Sequence, residues 1–295
     1  MSGHAQHPRR IQETISQGGL EFAAEAFGHE AGRPLLLIMG ATASMLWWPE
    51  ELCEALADRG HFVIRYDNRD TGRSTTGEPG QPPYSIDDMA EDAVAIMDGY
   101  GIAAAHVAGM SLGGMIAQIL ALRHPERVLS LTAISSSRID EDDPSLPELD
   151  PRLLAHFTRL AELDWQDRES VVSFFVESFR ISAGATSAFD AEAARRLAEH
   201  EFDRARDIRC AMNHQMLTGG ESFRGQLSRI DVPALVIHGR NDPILSHAHG
   251  RRLSDVLPNS AMVTIEEAGH ELNRRDWPRI VDAIADHTAA AERGA

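Results

Sequence analysis

The stretch AHVAGMSLGGM, residues 105–115, decides how this chain is read. A short apolar run ends at Gly109, a serine stands between glycines, and a second apolar run begins. Residues 109–113 match G-x-S-x-G, and the match gains meaning from an apolar strand before it and a buried helix after it. A nucleophile on such a turn needs a strained backbone, and glycines two residues before and after remove the side chains that would clash. The hydroxyl then projects from the C-terminal edge of a sheet. The following helix turns its unpaired N–H groups to the same point. Without that context, five residues of this kind also arise by chance in a chain rich in alanine and glycine.

A serine is a weak nucleophile until a base takes its proton and an acid orients the base. Both should lie downstream, each past a later strand. LVIHGRNDPI (235–244) sets Asp242 just past an apolar run, in a turn stiffened by Pro243. VTIEEAGHEL (263–272) sets His270 just past the next run. The order Ser111, Asp242, His270 is the one this arrangement of strands requires. The chain has 14 histidines, most of them expected on the surface or in the core. His238 precedes the glycine of its strand, a position for a packed side chain. Asp140 is a rival for the acid, ranked below Asp242. The oxyanion donors are expected to be the backbone N–H groups of Leu112 and Ala41, the latter in the loop Gly40-Ala41-Thr42-Ala43. A plain glycine turn is the alternative reading of that loop.

Working outward, PLLLIMG (34–40) and HFVIRYD (61–67) read as buried strands, and LEFAAEAFG (20–28) as a half-exposed one. PEELCEALADRG (49–60) and residues 86–100 read as helices, the second with Ser85 at its N-cap and Asp88 three residues on. Residues 113–124 form a helix that is apolar nearly all round, hence buried on most sides. After residue 137 comes an acidic, proline-containing connection, RIDEDDPSLPELDP, and residues 151–224 are helical in pattern. Sheet rhythm returns at VPALVIHG (232–239) and runs through a helix, the strand AMVTIEEAG (261–269) and a last helix over 277–290. The expectation is an α/β fold, mostly parallel, with helices on both faces. Residues 1–137 and 226–295 make the core, and 138–225 an inserted helical cap.

The chain carries 28 basic and 45 acidic residues, a formal net charge of −17. Such a surface repels phosphate backbones and anionic lipids, so neither nucleic acid nor a membrane is expected as a partner. Solubility is the plainer reading of the acidity. No apolar run approaches the ~20 residues of a membrane helix. MSGHAQHPRRIQET (1–14) lacks the apolar centre of a signal peptide. Two cysteines, Cys53 and Cys210, make no disulfide framework, and Cys53 sits in a core pattern. A cytoplasmic enzyme with a small-molecule substrate is expected. The histidines show no metal-ligand spacing, so no metal and no cofactor are expected.

These motifs resemble those of the α/β-hydrolase superfamily over residues 20–290. YDNRDTGRSTT (66–76) resembles the D-x-R-D-T-G-R-S segment of hydrolases similar to aclacinomycin methylesterase. LLLIMGATASMLWWPEEL (35–52) is similar to the corresponding loop, with Met39 where many members carry a histidine. NDPILSHAHGRRL (241–253) and EEAGHEL (266–272) look like the acid and histidine loops. The resemblance implies a hydrolase core with a helical cap, and hydrolysis of a methyl ester on a polycyclic polyketide. It makes Ser111 the nucleophile, Asp242 the acid and His270 the base.

Ester hydrolysis through an acyl-enzyme is the expected chemistry. A serine at 111 excludes relatives that need a carboxylate nucleophile there, the haloalkane dehalogenases and epoxide hydrolases. Lactone, thioester and C–C bond hydrolysis, perhydrolysis and a ligand-binding role with little turnover stay open. Of Trp47 and Trp48, one should line the pocket and the other pack as core. Phe175/Phe179 and Met212/Met216 are spaced one helical turn apart, and one pair should face the substrate. Asp67 and Arg69 read as a salt-linked turn rather than as substrate contacts.

Overall fold

In the computed structural model, which describes residues 11–140, 144–184 and 189–294, eight strands form one sheet in the order β1-β2-β4-β3-β5-β6-β7-β8. They are β1 (Ile11–Gln17), β2 (Leu20–Phe27), β3 (Arg33–Ile38), β4 (His61–Tyr66), β5 (Ala105–Met110), β6 (Val128–Ile134), β7 (Ala234–Gly239) and β8 (Ser260–Ile265). From β4 onward along that order every pair is parallel, while β1–β2 and β2–β4 are antiparallel. Strands β4, β5 and β7 are buried at every residue, which is why apolar side chains dominate them, with His61, Arg65, His106 and His238 the buried polar exceptions. Helices α1 (Glu50–Asp58) and α8 (Trp277–Arg293) cover one face. Helices α2 (Ile86–Gly99), α3 (Leu112–Arg123) and α7 (His247–Val256) cover the other. The α2 start has the expected capping box of Ser85 and Asp88, a device worth about 1 kcal/mol.

Two features depart from expectation. Strand β1 has no counterpart in the sequence reading; it joins β2 through Gly18 and Gly19, both at positive φ (61° and 85°), the conformation a two-residue hairpin needs. Because β1 takes the sheet edge, β2 is not half-exposed but buried from Ala24 to Phe27. Its Glu25 pairs with the buried Arg65 of β4.

Between β6 and β7 lie α4 (Pro151–Phe157), α5 (Arg168–Ser182), α6 (Ala191–Arg204) and a run of 3-10 turns over Ile208–Met216. Val171, Val172, Phe175 and Ala198 give this insertion a small core of its own. Both cysteines are buried and unbridged, and burial pushes the Cys53 thiol up to about 12. Residues 1–10 of the N-terminal stretch and 141–143 of the acidic connection lie outside the described residues. Among the described residues no helix is long and apolar enough to cross a membrane.

Candidate active site

Ser111 stands between β5 and α3 with φ 52° and ψ −120°, a conformation that is costly for any residue but glycine. The turn is locked by its neighbours. The Ser111 N–H donates to the Ile134 carbonyl at 2.9 Å, and Ser136 Oγ donates to the Ser111 carbonyl at 2.8 Å. The flanking glycines answer to close packing. A Cβ on Gly109 would lie 2.1 Å from the Gly113 carbonyl oxygen, and one on Gly113 would lie 2.1 Å from that of Ile38. No side chain fits at either position, so the strand-turn-helix joint can close only with glycine there.

Asp242 follows β7 and His270 follows β8. Their side chains meet: His270 Nδ1 lies 2.7 Å from Asp242 Oδ2. Asp242 Oδ1 accepts the N–H groups of Ile244 and Leu245 at 2.9 and 2.8 Å, which fixes the carboxylate. Burial alone would push this carboxyl up, but the facing rings of His270 and His238 outweigh it and hold it well below the ordinary carboxylate range. A carboxylate only accepts, so the Nδ1 of His270 that faces it carries a proton. The His270 N–H donates to the Ser182 carbonyl at 2.8 Å, so the end of α5 anchors the histidine loop.

Residues 40–43 form the loop past β3. Asn68 Nδ2 donates to the Met39 carbonyl at 3.0 Å and supports its base. Thr42 has a left-handed backbone, φ 64°, and its N–H donates to His214 Nδ1 at 3.0 Å. Among the described residues the Ala41 N–H meets no protein acceptor. Leu112 is the first residue of α3, so its N–H has no partner within the helix. These are the two N–H groups picked out from sequence.

Ser111, His270, Gly40, Ala41 and Thr42 line one cavity of about 360 Å³, which is otherwise mostly apolar. Trp47, Phe157, Phe174, Phe175 and Phe179 build its wall, and Trp47 meets Phe179 edge to face at 4.5 Å. Phe175, Ser178, Phe179 and Ser182 reach it from one face of α5. Trp48 does not line it: this side chain is 0 % exposed and packs between α1 and the sheet. Met216 does not line it either, and is 54 % exposed. The expected Met212/Met216 pairing fails because residues 208–216 are 3-10 turns, with three residues per turn. Met212 and Gln215 share the cavity face instead. Leu149, Leu160 and Ile244 also line the cavity; they come from separate segments, and no periodic signal in the sequence marks them.

The rival positions take structural places. Asp140 is buried and bound by Arg138 at 2.8 Å. His238 is buried, its Nε2 2.7 Å from the Leu245 carbonyl. Asp67 and Arg69 are salt-linked as expected, though to different partners. Asp67 pairs with Arg204 of the insertion at 2.7 Å, and Arg69 grips both oxygens of Asp92. Among the described residues no group of three or more His, Cys, Asp or Glu side chains could hold a metal ion.

A family model described as alpha/beta hydrolase fold matches residues 33–273. The chain is 38% identical over 283 residues to rhodomycin D methylesterase DnrP of Streptomyces peucetius, covering 91% of this chain and 95% of that one. It is also 38% identical over 292 residues to rhodomycin D methylesterase DauP of Streptomyces sp. strain C5, covering 94% and 98%. Among solved structures, it is similar to a 2-hydroxy-6-oxo-6-phenylhexa-2,4-dienoate hydrolase of Rhodococcus sp. strain RHA1. The TM-score is 0.76 at 22% identity, covering 96% of this chain and 99% of that one.

Proposed function

The chain belongs to the family of the α/β-hydrolase fold, and on that premise we propose that it is a serine carboxylic-ester hydrolase acting on the methyl ester of a bulky, polycyclic or otherwise apolar acid. One observation carries the reading: Ser111 and His270 line one aromatic cavity, and Asp242 meets His270 from behind. In the proposed reaction Ser111 Oγ attacks the ester carbonyl while His270 Nε2 takes its proton. The N–H groups of Leu112 and Ala41 hold the oxyanion that forms. His270 returns the proton to the departing methoxide, so methanol leaves and an acyl-Ser111 ester remains. Water, deprotonated by His270, then releases the acid and restores the serine. Asp242 holds the imidazole in register and stabilises its charged form.

Substrate class is supported by the cavity wall and by relatives named rhodomycin D methylesterases. Cavities of about 300–1,000 Å³ with apolar linings suit ligands of this bulk. In this reading residues 138–225 act as the cap that selects the substrate, residues 1–137 and 226–295 form the core, and the enzyme works in the cytoplasm without a cofactor. The test is stopped-flow release of p-nitrophenol from an activated ester, with mass spectrometry of the quenched enzyme. A burst matching enzyme concentration and an acyl adduct on Ser111 are expected. In Ser111→Ala the burst vanishes, leaving no more than the roughly 10³–10⁴-fold advantage over water that survives loss of a triad. Near-normal turnover in that variant sinks the assignment.

A further inference from the structure

His214 belongs to the insertion, in the 3-10 turns over Ile208–Met216, yet its ring lies against two loops of the core. On one side it takes the Thr42 N–H on Nδ1 at 3.0 Å, and on the other Nε2 gives a hydrogen bond to the Arg69 carbonyl at 2.8 Å. Those partners allow one state of the ring. A backbone N–H demands a bare Nδ1, and a carbonyl demands a proton on Nε2, so the imidazole is neutral with its proton on Nε2. Burial pushes the pKa of the ring down, in keeping with that state. Neighbouring Asn213 is buried too, its Nδ2 2.8 Å from Asp70 Oδ2, so this stretch is tied to the core at adjacent residues.

The loop it holds needs holding. Thr42 is β-branched and sits at φ 64°, a conformation that persists only where the surroundings enforce it. The peptide N–H of Thr42 is joined to the same short segment that carries the Ala41 N–H. Only the φ and ψ of Ala41 separate the two peptide planes, so fixing one restricts the direction of the other.

We propose that His214 is a positioning residue for the oxyanion hole: by accepting the Thr42 N–H it aims the Ala41 N–H at the reacting carbonyl, so that the hole is complete only while the insertion is seated on the core. This rests on the hydrolase reading above. It gives the insertion a part in the chemical step as well as in substrate choice. Donors aimed at an oxyanion act on the transition state more than on bound substrate, so loss of aim lowers kcat and spares KM.

Two near-isosteric variants separate this role from simple packing. In His214→Asn the amide oxygen can stand in for Nδ1 and keep the Thr42 bond, while the Arg69 contact is lost. In His214→Gln the longer amide can stand in for Nε2 and keep the Arg69 contact, while the Thr42 bond is lost. The expected result is a fall in kcat of roughly tenfold to a hundredfold for His214→Gln and less than about threefold for His214→Asn, with KM within about threefold in both. Equal losses, a larger loss in His214→Asn, a change confined to KM, or no change at all would each overturn the proposal. Ser111→Ala run alongside keeps the two readings apart. If it retains the burst, the hydrolase reading fails. If it loses the burst while both His214 variants match wild type, only this inference fails. Should neither variant fold, ¹⁵N shifts of the histidines in the unmodified protein decide: a bare Nδ1 with a protonated Nε2 at His214 is expected, and a proton on Nδ1 at neutral pH overturns the proposal.

Discussion

Asp242 shows how one side chain is fitted to its task by everything around it. Two backbone N–H groups hold one oxygen, His270 meets the other, and His238 lies 3.5 Å from that same oxygen. A carboxyl held below its unfolded value of about 3.9 stabilises the fold at any pH above that value. The contribution is lost as pH falls from there through the lower folded value. Urea midpoints of wild type and Asp242→Asn should therefore differ most between about pH 6 and pH 8 and draw together below about pH 3. A gap that stays constant over that range refutes the depressed pKa. The same variant should lose about 10⁴-fold in kcat, because an amide donor opposite Nδ1 favours the wrong tautomer of His270.

At the scale of elements, the type of helix decides which side chains reach the cavity. On α5 the α-helical repeat brings Phe175 and Phe179 to the cavity with Ser178 and Ser182. In the 3-10 turns after α6, a four-residue step rotates Met216 away from Met212 and out to solvent. The comparison to run is kcat/KM for a large aromatic ester divided by that for p-nitrophenyl acetate. Phe175→Ala/Phe179→Ala should lower this ratio by about ten- to a hundredfold, the worth of one or two buried aromatic contacts. Met212→Ala should lower it less, and Met216→Ala should leave it unchanged. A shift in Met216→Ala as large as in the phenylalanine pair would mean the cavity wall is misassigned.

Over the whole molecule, the insertion is joined to the core through buried polar contacts as well as apolar ones. Arg204 pairs with Asp67 at 2.7 Å, with side chains 6% and 0% exposed. Ser44 Oγ donates to Glu201 at 2.6 Å, and burial raises the Glu201 carboxyl to about 7. Breaking a buried ion pair from one side leaves an uncompensated charge. Arg204→Ala should therefore cost about 3 kcal/mol in chemical denaturation. Asp67→Asn in the same chain should recover part of that loss, since the lone charge is then gone. Strictly additive losses in the double variant would show that the pair does not couple. The segment 66–76 is thus legible as a motif in sequence, while its work is visible only in three dimensions: Asp67 receives Arg204, Asn68 props the loop past β3, and Asp70 receives Asn213 and Tyr84.

Sequence by itself determined the parts whose physics is local. The parallel core is legible because strands buried on both faces are mostly apolar, and the Ser111 turn because close backbone contact leaves room only for glycine. Asp242 and His270 are legible because each lies a few residues past a strand, β7 for the one and β8 for the other. Strand β1 carried a local signal too, its paired glycines between two strands, although its own alternation is weak, with one buried residue in seven. What only the tertiary structure decided are meetings between distant segments. Trp47 lines the cavity while its neighbour Trp48 is wholly buried in the core. Met212 parts from Met216 because packing selects 3-10 turns over an α-helix. His214 reaches Thr42, 172 positions away, by a hydrogen bond that no spacing announces. Such contacts depend on how surfaces from distant segments pack together, and that packing leaves no periodic trace along the chain.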